Sequence, residues 1–323
     1  MERPLARMLS QRRLLLLDGA MGTELQRRGC AVELPLWSAH ALFDSPELVA
    51  AIHHDYLRAG ADVLTTNTFR TTPRTFHRAG IPDRSQALTA IAVMLAHEAR
   101  ARCEGRTVLI AGSMAPLEDC YHPELVPPDD ALRAEHRQHA MQLAAAGVDF
   151  LLVETMATIR EARAACAAAC ETGKEAVVSF LCDATGNLYS GESLADAVRA
   201  ITPLQPAAFS INCVAPRYIA PALSALRVAT DLPVAVYANV GMSGHEQPQR
   251  IVCDIHPDEY AAFASEWIRE GVTIVGGCCG TTPEHIQALH DLLSSPQTAG
   301  RSRERAGESV LRTGPSTRTH NIS

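Results

Sequence analysis

Short apolar runs alternate with longer helical patterns along nearly the whole chain, and this alternation narrows the choice of fold more than any other feature. The runs are LLLLD (14–18), ADVLTTN (61–67), TVLIAGS (107–113), DFLLVET (149–155), AVVSFLC (176–182), AAFSINC (207–213), PVAVYAN (233–239) and VTIVGGCC (272–279). Helical patterns fall at 45–59, 85–102, 129–146, 158–172, 193–200, 216–228 and 257–270, with a last one from Pro283 to Leu293. Proline in the first turn marks two of the starts, Ser45-Pro46-Glu47 and Thr282-Pro283-Glu284. The runs are nearly continuous in Val, Ile, Leu and Ala, as in parallel strands covered by helices on both faces. Eight such units predict a single (β/α)8 barrel of TIM type over residues 10–295. A doubly wound open sheet is the rival, but it seldom needs so many units. It also favours a glycine-rich phosphate loop after the first strand, which Asp18-Gly19-Ala20-Met21-Gly22 does not match.

Composition excludes several classes of function. A net charge of −7 lacks the basic excess of a nucleic-acid surface. No apolar run approaches the ~20 residues that cross a bilayer. Several arginines in Met1–Arg13 precede Leu14–Leu17, a run too short for a signal-peptide core. A cytoplasmic protein is expected, so its ten cysteines are read as thiols. Cys166 and Cys170, spaced i, i+4 in an alanine-rich helix, read as buried inert thiols. Residues 298–323, rich in Arg, Ser, Thr and Gly, are expected to form a disordered tail.

In such a barrel the chemistry sits where the strands end. Those ends carry Asp18, Asn67, Ser113, Glu154, Cys182, Cys213, Asn239 and the pair Cys278-Cys279. Gly276-Gly277-Cys278-Cys279-Gly280 is the strongest local signal. A disulfide between neighbours would strain the peptide, whereas glycines free the backbone so that both sulfurs can face one point. Cys213 ends a strand two positions earlier and supplies a third sulfur. Three thiolates with an open fourth position describe a tetrahedral zinc site that accepts a ligand. Such a zinc suits a sulfur ligand and leaves it nucleophilic, unlike the histidine and carboxylate sites that activate water. The competing reading is two core cysteines after a buried strand.

With these residues in view, the chain resembles the homocysteine S-methyltransferase family. The matching segments are LLLDGAMGTELQRRG (15–29), ADVLTTNTF (61–69), GSMAP (112–116), FLLVET (150–155), INC (211–213), YAN (237–239) and GGCCGTTPEHI (276–286). The resemblance implies zinc on Cys213, Cys278 and Cys279. It also implies that Asp18 and Glu154 hold the ammonium of homocysteine, with the N–H groups of Gly19 and Ala20 on its carboxylate. That agrees with two carboxylates facing a cation and open amides facing an anion. Asn239 matches a position that can approach the metal when substrate is absent, and a structural amide is the alternative.

The methyl donor is less constrained. Betaine enzymes of the family line its site with aromatic residues. Trp37 falls at one such place, and Arg70 and Thr155 occupy the other two. An arginine beside a quaternary ammonium disfavours betaine. The expected donors are a sulfonium such as S-methylmethionine, or a separate methylated corrinoid protein, since no cobalamin or folate domain accompanies the barrel. Two alternatives stand beside methionine formation: methylation of another thiol or selenol, and a zinc-binding barrel without turnover.

Overall fold

The structure, a computed structural model, describes residues 3–12, 14–240, 243–244, 247–251 and 254–295. Eight parallel strands form its centre: β1 (Leu15–Leu16), β2 (Val63–Thr65), β3 (Leu109–Met114), β4 (Phe150–Met156), β5 (Glu175–Phe180), β6 (Ala208–Asn212), β7 (Val234–Ala238) and, after an antiparallel pair, β10 (Ile274–Gly277). The pair is β8 (Ser243–Gly244) and β9 (Gln247–Ile251). The parallel strands lie in the order β1-β10-β7-β6-β5-β4-β3-β2. A parallel bridge from Leu17 to Val63 joins the two ends, with Asp62 N–H donating to Leu16 at 2.7 Å and Asp18 N–H to Val63 at 3.0 Å. This is the (β/α)8 barrel that the alternation predicts.

The helices match the predicted patterns closely. They include α4 (Pro46–Arg58), α6 (Ser85–Ala101), α7 (Asp129–Ala146), α8 (Ile159–Glu171), α9 (Leu194–Ile201), α10 (Ile219–Ala229), α11 (Pro257–Arg269) and α12 (Pro283–Ser294). Local chemistry sets several ends. Thr158 and Ser193 accept the third backbone N–H of α8 and α9, which satisfies donors the helix cannot. Gly147 closes α7 in the left-handed conformation. Four shorter or earlier helices escape the sequence pattern: α1 (Pro4–Gln11), α2 (Gly22–Arg27), α3 (Ala41–Asp44) and α5 (Pro73–Arg78).

Two apolar layers hold the barrel. The larger lies between strands and helices. The smaller fills the interior with Leu15, Leu17, Val63, Leu109, Phe150, Leu152 and Ile274. The first helix, α1, sends Leu5 and Met8 into this inner cluster. Glu175, the first residue of β5, accepts the N–H groups of Leu5 at 2.8 Å and Ala6 at 3.1 Å. The arginine-rich start of the chain is therefore a plug at the amino-terminal mouth, with a carboxylate capping its N-terminus. That leaves the opposite mouth open.

Of the two cysteines read as inert, Cys166 is fully buried, while Cys170 is partly exposed and donates to the Leu204 carbonyl at 3.2 Å. The predicted tail, 298–323, lies outside the described residues. Among the described residues no helix is long and apolar enough to cross a membrane.

Candidate metal centre

The carboxyl ends of the strands surround a cavity of ≈ 140 Å³. Asp18, Glu154, Cys213, Cys278 and Cys279 all line it, and so do Gly19, Ala20, Trp37 and Asn67. Side chains as far apart in the chain as Asp18 and Cys279, 261 positions, thus converge at one end of the barrel. Cys182 does not join them; it is buried beside an antiparallel bridge to Leu188.

The three sulfurs of Cys213, Cys278 and Cys279 lie within 4.8 Å of one another, and those of Cys213 and Cys279 are 3.9 Å apart. Sulfurs ~2.3 Å from a tetrahedral zinc are separated by about 3.8 Å, so the trio fits such an ion with little rearrangement. Hydrogen bonds with Cys278 and Cys279 draw the Cys213 thiol well below its ordinary range, with Tyr121 and Asn239 helping. The same bonds to Cys213 push Cys278 and Cys279 upward. One sulfur in the trio gives up its proton readily, as a metal ligand must.

Backbone geometry explains how the sulfurs are aimed. Cys213 sits at φ 60°, a conformation that non-glycine residues rarely take. Trp37 (φ 49°) and Thr155 (φ 62°) are similarly strained, and all three line the cavity. Strain of this kind clusters at functional sites. In β4 the pairing register shifts between Val153 and Met156, an irregularity at the position of Glu154 and Thr155.

The glycines before the cysteine pair act differently from the sequence expectation. Neither Gly276 nor Gly277 needs a positive φ. A Cβ on Gly276 would lie 2.5 Å from Leu17 Cβ, and one on Gly277 would lie 2.3 Å from Thr281 Oγ1. Close approach of β1 and of the following turn, rather than torsional freedom, excludes a side chain there. The positive φ falls on Gly280, at 83°.

Both carboxyl groups are almost entirely buried, Asp18 at 4% and Glu154 at 7% exposure. Burial raises Asp18 to about 8 and Glu154 to about 7. Partial compensation comes from Thr65 N–H, which donates to Asp18 at 2.7 Å, and from Ser113 and Tyr237 (3.3 Å), which donate to Glu154. Their charges repel, which raises Asp18 further. A cation placed beside two acids held this way would favour their charged forms.

At three expected positions the polar groups have other partners. The Ala20 N–H is not open to a carboxylate, because it donates to Thr281 Oγ1 at 3.1 Å. Gly19 N–H has no partner among the described residues. Asn239 has both ends of its amide engaged: Oδ1 accepts Cys279 N–H at 3.1 Å, and Nδ2 donates to the Cys213 carbonyl at 3.0 Å. It braces the two sulfur-bearing loops against each other. Arg70 does not line the cavity. Its guanidinium lies 5.4 Å from the Phe69 ring centroid and donates to the Glu118 carbonyl at 3.5 Å. Phe69 takes its place on the cavity wall beside Trp37. Trp37 is held against the start of α2, where a Cβ on Gly22 would lie 2.3 Å from the indole nitrogen.

The sequence model of the family described as "Homocysteine S-methyltransferase" matches residues 15–293. The chain belongs to the homocysteine S-methyltransferase family. Family relatives agree over nearly their full length. Homocysteine S-methyltransferase of Escherichia coli is 34% identical, covering 88% of this chain and 97% of that protein. Selenocysteine Se-methyltransferase of Brassica oleracea var. italica is 30% identical, covering 87% and 89%. The metallated crystal structure of the E. coli homocysteine methyltransferase MmuM superposes with a TM-score of 0.80 at 34% identity, covering 90% of this chain and 99% of that one.

Several residues at the site had no role assigned from sequence. Ser113, Asn67 and Asn212 lie at or beside strand ends, so the position was visible and the partner was not. Asn67 Oδ1 is buried without a partner among the described residues, an acceptor facing the same cavity wall as Trp37. Tyr237 sits inside a strand and reads as core. Tyr121, whose hydroxyl lies 3.6 Å from Cys213 Sγ, comes from the loop after β3 and had no signal at all.

Proposed function

We propose that the protein transfers a methyl group to homocysteine, forming methionine, in one catalytic domain spanning residues 10–295. Zinc on Cys213, Cys278 and Cys279, when bound, supplies the charge that keeps a fourth thiol deprotonated, while three thiolates keep that sulfur electron-rich. The observation that carries this reading is the sulfur trio beside two buried acids in a single cavity. Asp18 and Glu154 pair with the ammonium of homocysteine, and the free Gly19 N–H meets its carboxylate. Those contacts orient the substrate so that its thiol reaches the sulfur trio. The thiolate then attacks the donor methyl carbon in line. A C–S bond forms on homocysteine as the donor bond breaks, and its electron pair departs with the leaving group.

Trp37 and Phe69 give the cavity two aromatic faces suited to a cationic donor. With Arg70 outside the cavity, its charge no longer argues against betaine. Leaving-group chemistry still ranks the donors, because a sulfonium releases a neutral thioether, a better leaving group than the amine released by betaine. S-Methylmethionine is therefore the favoured donor, with a methylated corrinoid protein second. A selenol acceptor is a second reading, supported by the likeness to a plant selenocysteine Se-methyltransferase. A purely structural zinc would want a fourth strong protein ligand, and the sulfur trio is the only cluster of its kind among the described residues.

The test is to supply zinc-loaded protein with homocysteine and, separately, S-methylmethionine, betaine and a methylated corrinoid, and to measure methionine. Methionine should form fastest from the sulfonium. No methionine from any donor, with zinc bound at full stoichiometry, would refute the reading.

A further inference from the structure

A methyl donor that enters this cavity meets several sulfurs, only one of which belongs to the substrate. Cys213, Cys278 and Cys279 are all partly exposed, and a metal-held thiolate is itself a nucleophile. Methylation of Cys213 would form an S–CH3 bond as the donor C–S bond breaks, the electron pair leaving on the thioether. No further reactant is needed, so something in the protein must suppress it.

Two of the three sulfurs face a fixed hydrogen-bond donor. Tyr121 hydroxyl lies 3.6 Å from Cys213 Sγ, and Asn212 Nδ2 lies 3.9 Å from Cys278 Sγ. The orientation of the Asn212 amide is settled by its other contacts. Its oxygen accepts from Thr155 N–H at 3.0 Å and from Ser179 Oγ at 2.7 Å, and its nitrogen donates to Thr155 Oγ1 at 2.8 Å, which leaves the second N–H of the amide for the sulfur. Cys279 Sγ has no N–H or O–H donor against it among the described residues.

The loop that carries Tyr121 is pinned at several points. Leu117 N–H donates to the buried Glu161 at 2.8 Å. The nearly buried Glu118 accepts from Arg74 at 2.9 Å and from Arg78 at 2.7 Å. The Tyr121 ring also packs edge-on against Tyr189, with centroids 5.7 Å apart. Such anchoring fits a side chain that must stay at one point.

We propose that Tyr121 and Asn212 screen the ligand sulfurs, donating hydrogen bonds to Cys213 and Cys278 so that the methyl group passes to the substrate sulfur instead. The screen rests on the zinc-thiolate reading above. A hydrogen bond lowers the basicity of the thiolate it meets, and nucleophilicity follows basicity with roughly half weight. Losing a bond to a charged sulfur should therefore raise its alkylation rate about three- to tenfold.

The experiment treats zinc-loaded protein, without homocysteine, with limiting iodoacetamide and follows each cysteine by peptide mass spectrometry. Zinc is quantified in every sample. In the parent, Cys279 should react faster than Cys213 or Cys278. Tyr121→Phe should accelerate Cys213 about three- to tenfold and leave Cys278 unchanged. Tyr189→Phe, which removes a hydroxyl hydrogen-bonded to none of the three ligand sulfurs among the described residues, should change none of the three. In cobalt-substituted protein, Tyr121→Phe should move the sulfur-to-cobalt charge-transfer band to lower energy. An unchanged Cys213 rate or an unmoved band overturns the screen, as does equal acceleration of all three cysteines or loss of metal by the variant. Absence of zinc from the parent removes both the screen and the reading beneath it.

Discussion

Glu154→Gln separates a substrate-binding carboxylate from a scaffold one, because the two roles differ in how they respond to pH. Glu154 is raised by burial to about 7 and Asp18 to about 8. A carboxyl raised in this way is charged only above its folded-state pKa. The charge that meets the ammonium of homocysteine is therefore absent near pH 6, develops as pH rises through 7 and 8, and is lost again as pH falls. Glutamine resembles the protonated acid in shape but never ionises. Parent and variant should thus differ least near pH 6, where ionising Glu154 costs about 1.4 kcal/mol of the contact, and diverge further above it. At full divergence the lost contact to a charged group is worth roughly 1.5–3 kcal/mol, a ten- to hundredfold change in Kd. A second effect follows from repulsion between the acids: without Glu154, Asp18 should ionise at lower pH, moving the remaining dependence downward. Calorimetric titration of homocysteine into metal-loaded protein from pH 6 to pH 8.5 measures both. The thiol of homocysteine also releases a proton on binding, but equally in parent and variant, so the ratio of Kd values isolates the carboxylate. A ratio that does not change with pH, or stays within about twofold at pH 8.5, would refute this role for Glu154.

Three other outcomes are expected. Gly22→Ala places a methyl group 2.3 Å from the Trp37 indole nitrogen and should displace the ring, raising the donor KM severalfold while homocysteine Kd holds; unchanged donor kinetics would remove Trp37 from the donor site. Serine at Cys213, Cys278 or Cys279 should lower zinc from about one per chain, read by metal analysis, and full retention after any two of these changes would contradict the site. Glu175→Gln weakens the cap on α1 and should cost about 1–2 kcal/mol in urea melts with homocysteine affinity unchanged; equal stability would mean the plug does not need the charge.

The barrel was legible because its eight buried strands are continuous apolar runs, and caps and prolines marked where helices begin. The exceptions have physical reasons. The plug helix α1 is short and carries arginines, and only its contact with the barrel interior makes it stable. The cavity end was legible where a residue type is odd for its position: thiols after a buried strand and acids at strand ends. Roles that depend on hydrogen-bond partners were not. Ala20 and Asn239 sit where the pattern places them, yet Thr281, Cys279 and Cys213 occupy their polar groups. Arg70 follows the end of β2, where the alternation of a strand no longer sets direction, and the Glu118 carbonyl draws it away. The loop residue Tyr121 reaches Cys213 only through tertiary folding, which no periodicity encodes.

Zinc K-edge X-ray absorption before and after addition of homocysteine tests the central claim most directly, because it counts sulfurs at the metal without turnover or a chosen donor. The sulfur trio predicts a shell of three sulfurs at ~2.3 Å in the protein alone, rising to four when homocysteine is added. A shell that keeps three sulfurs in the presence of saturating homocysteine would contradict the account.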